Sequence, residues 1–146
     1  MNDLVPVEIL LVEDNPADAE LAMRALKRAH LANGIEWLKD GAEAIDYVLR
    51  QGAYATRPEG NPRLILLDLK MPKVDGIDVL RTLKADPSAR TVPIVMLTSS
   101  NEENDIIRTY DLGVNSYIVK PVEFDRFVDA VSKLGVYWTV MNKVPR

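Results

Sequence analysis

Residues 64–76 read LILLDLKMPKVDG. Four apolar residues, Leu64 to Leu67, run directly into Asp68, and the pattern then breaks at Lys70, Met71, Pro72 and Gly76. An apolar run without polar alternation is what a central parallel strand, covered on both faces, requires. A single Asp after a strand is ordinarily a turn former or a helix cap. What Asp68 does at the end of so buried a strand therefore depends on what the rest of the chain brings to it.

Working outward, the same signal recurs. Glu8–Val12 (EILLV), Ile35–Lys39 (IEWLK), Pro93–Leu97 (PIVML) and Ser116–Val119 (SYIV) read as further strands. Helical patterns separate them. Asn15-Pro16, a cap residue before a proline at the first helical position, opens a helix reaching about Ala32. Leu21, Ala22, Ala25, Leu26 and Ala29 share its apolar face, and Asn33-Gly34 ends it. Helices follow over Gly41–Arg50, Asp75–Ala85 and Glu102–Leu112, the last closed by Gly113. Ser99 with Glu102, or Ser100 with Glu103, is spaced for a capping box. A final helix runs from Glu123 toward Met141. The order is strand–helix repeated, which calls for an α/β fold: a parallel sheet with helices on both faces and right-handed crossovers. Gln51–Arg63 is a long irregular stretch and reads as an exposed loop.

The 146 residues fit one domain spanning 1–146. Hydrophobic residues at 47% and charged residues at 27% are ordinary for a soluble globular protein. The absence of cysteine excludes a disulfide framework, a Cys-based zinc site and a thiol nucleophile, and agrees with a cytoplasmic setting. The N-terminal apolar run is too short for a signal peptide or a membrane span, and no membrane association is expected. A net charge of −4 offers no electrostatic footprint for nucleic acid.

In an open parallel sheet, ligands bind beyond the carboxyl ends of the strands. Glu13-Asp14 follow the first strand, Asp68 the third, Thr98-Ser99-Ser100 the fourth and Lys120-Pro121 the fifth. Three acids at close range repel and raise one another's pKa unless a hard divalent cation sits among them. Magnesium suits such a set together with a phosphate, and a carboxylate can itself accept a phosphoryl group. The joint placement of acids, hydroxyls and a lysine carries this reading, not any one of them.

ILLVEDNPAD, LILLDLKMPKVDG, PIVMLTSS and SYIVKP, in that order, resemble the receiver domain of bacterial two-component response regulators along essentially the whole chain. The resemblance implies a flavodoxin-like (βα)5 fold with a five-stranded parallel sheet in order 2-1-3-4-5. It implies that Asp68 accepts phosphate from a histidine of a sensor histidine kinase. It implies a Mg2+ ion bound directly by Asp14 and Asp68, through water by Glu13, and by the backbone carbonyl of Lys70. Thr98 would hydrogen-bond the phosphoryl group, Lys120 would pair with its charge, and Tyr117 would turn inward as Thr98 moves. Pro121 would follow Lys120 in a cis peptide. The protein would then be a phosphoacceptor switch and not an enzyme acting on other molecules.

Other features carry less. His30 reads as a surface residue near a helix end. Arg24, Lys27 and Arg28 form a basic cluster that reads as a solvated face, or as contact with the kinase's phosphotransfer domain. A phosphatase of the haloacid dehalogenase type also uses a strand-end Asp but has a second acid two residues on, where this chain has Lys70. After Pro121 there are 25 residues, enough for a helix and an extended tail over about 123–146, so the expected output is protein contact. Phe127, Val131, Leu134, Tyr137, Trp138 and Met141 keep helical spacing on a broad apolar stripe and are expected to include a homodimer interface. The tail with its Tyr-Trp pair, the 51–63 loop and VNSYIVKPV most resemble stand-alone receivers that partner phytochrome-type sensor kinases. A receiver fold working as a binding or dimerisation module without phosphate is the alternative.

Overall fold

The computed structural model describes residues 9–28, 34–99 and 108–133. Five strands, β1 (Ile9–Val12), β2 (Ile35–Leu38), β3 (Leu64–Asp68), β4 (Ile94–Thr98) and β5 (Ser116–Val119), form one parallel sheet in order β2-β1-β3-β4-β5. The helices are α1 (Pro16–Arg28), α2 (Gly41–Leu49), α3 (Gly76–Ala85) and α4 (Phe124–Lys133). The fold is the expected flavodoxin-like one.

Successive strand residues face opposite ways, so the unbroken apolar runs supply two cores at once. Leu10, Val12, Ile65, Leu67, Ile94 and Met96 pack against α2 and α3 through Val48, Leu80 and Leu83. Ile9, Leu11, Leu64, Leu66, Val95 and Leu97 pack on the other side against α1 and α4 through Ala22, Leu26 and Phe127. The edge strand β2 is less covered, with Ile35, Glu36 and Trp37 half-buried.

Helix starts follow the sequence signals. The Asn15 side chain accepts from the Asp18 N–H at 3.0 Å, Asp40 from Glu43 at 2.7 Å and Asp75 from Asp78 at 3.0 Å. Gly113 lies in the left-handed region at φ 98°. Ser100, Glu102 and Glu103 of the capping boxes, Ala29, His30 and the start of the 102–112 helix lie outside the described residues, although 108–111 are helical.

Two expectations change. Leu21, expected on the buried face of α1, is 38% exposed, while Ala19, Ala22, Ala25 and Leu26 are buried. At 3.6 residues per turn Leu21 falls on the stripe's edge, and Ala19 takes its place. Phe127, expected at the dimer interface, is fully buried in the core against α1 and the sheet, because α4 turns that face inward. The side chain of Val131, and residues Leu134, Tyr137, Trp138 and Met141, lie outside the described residues.

The 51–63 stretch, read as an exposed loop, is tied down by side chains. It holds a 3-10 turn over Gly52–Tyr54. Arg57 donates to the carbonyls of Tyr47 at 2.8 Å and Gly60 at 2.9 Å and stacks 4.5 Å over the Tyr47 ring. Tyr54 donates to Glu43 at 2.7 Å.

Candidate functional site

The parallel registers carry the chemistry to one rim. Val12 pairs with Leu67, Asp68 with Leu97, and Thr98 with Val119. Glu13 therefore follows β1 beside the end of β3, Asp68 is the last residue of β3, Thr98 the last of β4, and Lys120 follows β5. The rim lies where β1 and β3 meet, at the point where the strand order reverses. Glu13, Asp68 and Thr98 are buried, whereas Asp14 is more open to solvent.

Lys120 Nζ stands at the centre. It lies 2.8 Å from Glu13 Oε1, 3.0 Å from Asp18 Oδ2 and 3.2 Å from Asp68 Oδ1. The Lys120–Pro121 peptide is cis. Asp68 Oδ1 also accepts from the Lys70 N–H at 3.3 Å, and Glu13 Oε2 accepts from the Asn15 N–H at 3.1 Å. Asp68 Oδ2 is buried without a hydrogen-bond partner among the described residues. Glu13 Oε1 is held to Nζ as a close ion pair.

Burial raises the Asp68 pKa first, the Glu13 charge raises it further, and Lys120 opposes both, leaving it at about 8. Burial pulls the Lys120 pKa down, but Glu13, Asp18 and Asp68 together outweigh this and hold it above the ordinary lysine value. A buried carboxyl group whose charged form is disfavoured by burial and by Glu13, with one orphaned oxygen, gains from a cation that offsets both. Oxygens of Glu13, Asp14 and Asp68 lie within 4.8 Å of one another. This all-oxygen set fits a hard divalent ion that keeps several of its waters.

Tyr117 is half-buried on β5 and meets Tyr110 edge-on, with ring centroids 6.0 Å apart. Both border a groove of about 510 Å³ between β5 and α4, lined also by Arg126 and Asp129.

Some residues at the rim escaped the sequence reading. Asp18 looks like an ordinary helix-start acid, and nothing local shows that it reaches Lys120. Trp37 Nε1 donates to the Glu13 carbonyl at 2.9 Å and fixes the main chain at the buried acid. Gly76 lies directly against the Asp68 backbone, where a Cβ would be only 2.8 Å from Leu69 Cα.

The model of the response regulator receiver domain family matches residues 9–132. The chain belongs to the response regulator receiver family. Among curated relatives, the receiver is 43% identical over 141 residues to a probable methanogenesis regulatory protein, FilR2, of Methanothrix harundinacea, covering 96% of this chain and 88% of that one. It is 38% identical over 140 residues to response regulator Rcp1 of Synechocystis sp., covering 96% and 94%. Among solved structures it resembles the bacteriophytochrome response regulators RtBRR (TM-score 0.85, 50% identity, 97% of this chain and 85% of that one) and AtBRR (0.84, 51%, 96% and 100%). The Mn2+-bound form of Rcp1 aligns at TM-score 0.75 and 36% identity, covering 96% and 98%. Stand-alone regulators of the bacteriophytochrome type are thus among its structural neighbours. No helix of the described residues is long and apolar enough to cross a membrane.

Proposed function

We propose that this receiver is a single-domain, Mg2+-dependent phosphoacceptor that takes a phosphoryl group from a sensor histidine kinase onto Asp68. The observation that carries this reading is the orphaned, buried Asp68 Oδ2 beside Lys120 and within the Glu13–Asp14–Asp68 oxygen cluster. In the transfer, an Asp68 oxygen forms the new P–O bond as the P–N bond to the donor histidine breaks. The electron pair leaves with the imidazole nitrogen, which takes up a proton. A divalent cation, when bound, neutralises phosphoryl oxygens that the acids alone would repel. Asp14 and Asp68 would hold it directly, Glu13 through water, and Lys70 through its carbonyl. Lys120 supplies the protein's own positive charge to the phosphoryl group, and the Thr98 hydroxyl, at the end of β4, donates to it.

The protein changes only its own phosphorylation state. The added charge of about −1.5 to −2 draws Thr98 and Lys120 together. Through Tyr117, which meets Tyr110, it biases the face built from β5 and the helical stretch that ends before Gly113. The kinship with bacteriophytochrome response regulators supports a phytochrome-type kinase as donor, in the cytoplasm. The apolar sequence from Leu134 to Met141 supports a homodimer through the tail, with protein rather than nucleic acid as the output partner. We read 1–146 as one receiver unit with a lengthened last helix. Light scattering at tens of micromolar tests the dimer, and a monomer there would reject it.

Intact-protein mass after incubation with acetyl phosphate tests the central reading. A phosphate-sized gain that needs both Mg2+ and Asp68, and is lost in Asp68→Ala, is the expected result. No gain together with no Mg2+ binding would instead favour a receiver-fold module that works without phosphate.

A further inference from the structure

We propose that Asp18 is the positioning residue for Lys120: it holds the ammonium in the unphosphorylated state and competes for it with a phosphoryl group on Asp68. The inference rests on the phosphoacceptor reading and adds to it a residue that sets how readily the switch closes.

Asp18 lies in the first turn of α1, where Asn15 caps its N–H at 3.0 Å and fixes the turn against the rim. Its Oδ2 accepts from Lys120 Nζ at 3.0 Å across a separation of 102 residues. The other two carboxylates near Nζ, Glu13 and Asp68, belong to the cluster that suits a cation, and Asp18 does not. When those two are drawn toward a cation, Asp18 remains as the carboxylate partner of Lys120. Lys120 has three N–H donors but a single position. Moving toward a phosphoryl group on Asp68 stretches the bond to α1. The Asp18 side chain is 33% exposed against 11% for Lys120, so the contact is partly screened and the competition is modest.

Two experiments test this. The first is a double-mutant cycle of Asp18→Asn and Lys120→Gln on urea stability in EDTA, which reads the pair without any cation. The second is the affinity for beryllofluoride, a phosphoryl mimic, in saturating Mg2+. The expected results are a non-zero coupling between the two substitutions and an affinity about 2- to 5-fold tighter in Asp18→Asn, the range of a partly screened charge pair. A zero coupling, or an affinity equal to or weaker than wild type, overturns the proposal. A role of Asp18 confined to starting α1 would lower stability without tightening beryllofluoride. If Asp18→Asn does not fold, Asp18→Ser, also suited to a helix start, gives the same reading. If the wild type takes up neither beryllofluoride nor phosphate in Mg2+, the phosphoacceptor reading fails, which is a result distinct from failure at Asp18.

Discussion

Gly76 at the start of α3 packs directly on the carbonyl oxygen of Asp68, with no room for a Cβ between them. Its N–H donates to the Leu69 carbonyl at 2.9 Å, so helix and strand end are joined at one point. The requirement is for space, since Gly76 has no left-handed backbone angle. Gly76→Ala must push the Asp68 main chain or α3 aside, at a cost of about 1–3 kcal/mol. The expected outcome is a lower thermal midpoint and slower labelling of Asp68 by acetyl phosphate. Calorimetry and intact mass check the two.

The Asp68 pKa of about 8 in the fold, against 3.8 for the free side chain, makes the metal-free protein sensitive to pH. Between these values the native state binds a proton that the unfolded state does not. This contribution to stability is complete below about pH 4 and is lost as pH rises through 8. Lys120, with its pKa raised, stays charged in both states across that window. In EDTA, wild type should therefore lose stability relative to Asp68→Asn from pH 5 to pH 8, on the order of a few kcal/mol. Urea midpoints at the two pH values check it, and parallel midpoints would reject it.

Adding Mg2+ should reverse the effect. A cation that binds only the folded state adds about 1.4 kcal/mol at ten times its Kd. The thermal midpoint should rise with Mg2+ in wild type, and the rise should shrink in Asp14→Asn and vanish in Asp68→Ala. Thermal denaturation across a Mg2+ series measures this.

Arg57 bonds the carbonyls of Tyr47, Pro58 and Gly60 and stacks on the Tyr47 ring, closing the 51–63 loop over the end of α2. Arg57→Ala leaves these carbonyls to water and should cost about 1–2 kcal/mol. Hydrogen exchange should quicken in residues 47–60, with phosphate uptake at Asp68 unchanged.

Phe127 fills the core between α1, α4 and the sheet. Phe127→Ala should cost about 3–5 kcal/mol. A change in oligomeric state without such a loss would return it to an interface.

The sequence by itself determined the fold and the identity of the rim. Uninterrupted apolar runs specify strands covered on both faces, and helical spacing between them specifies crossovers, because both patterns are local. Once the strands are parallel, whatever follows each of them must fall on one edge, so Glu13, Asp14, Asp68, Thr98 and Lys120 could be gathered without coordinates. Only the tertiary structure decided the rest. Asp18 joins Lys120 from 102 residues away, and no spacing within α1 reveals a contact set by the packing of α1 beside α4. The direction of Phe127 depends on how α4 is rotated, which a broad apolar stripe leaves open. The pKa of Asp68 depends on burial and on charges a few ångströms off, and both vary with distance in space rather than along the chain.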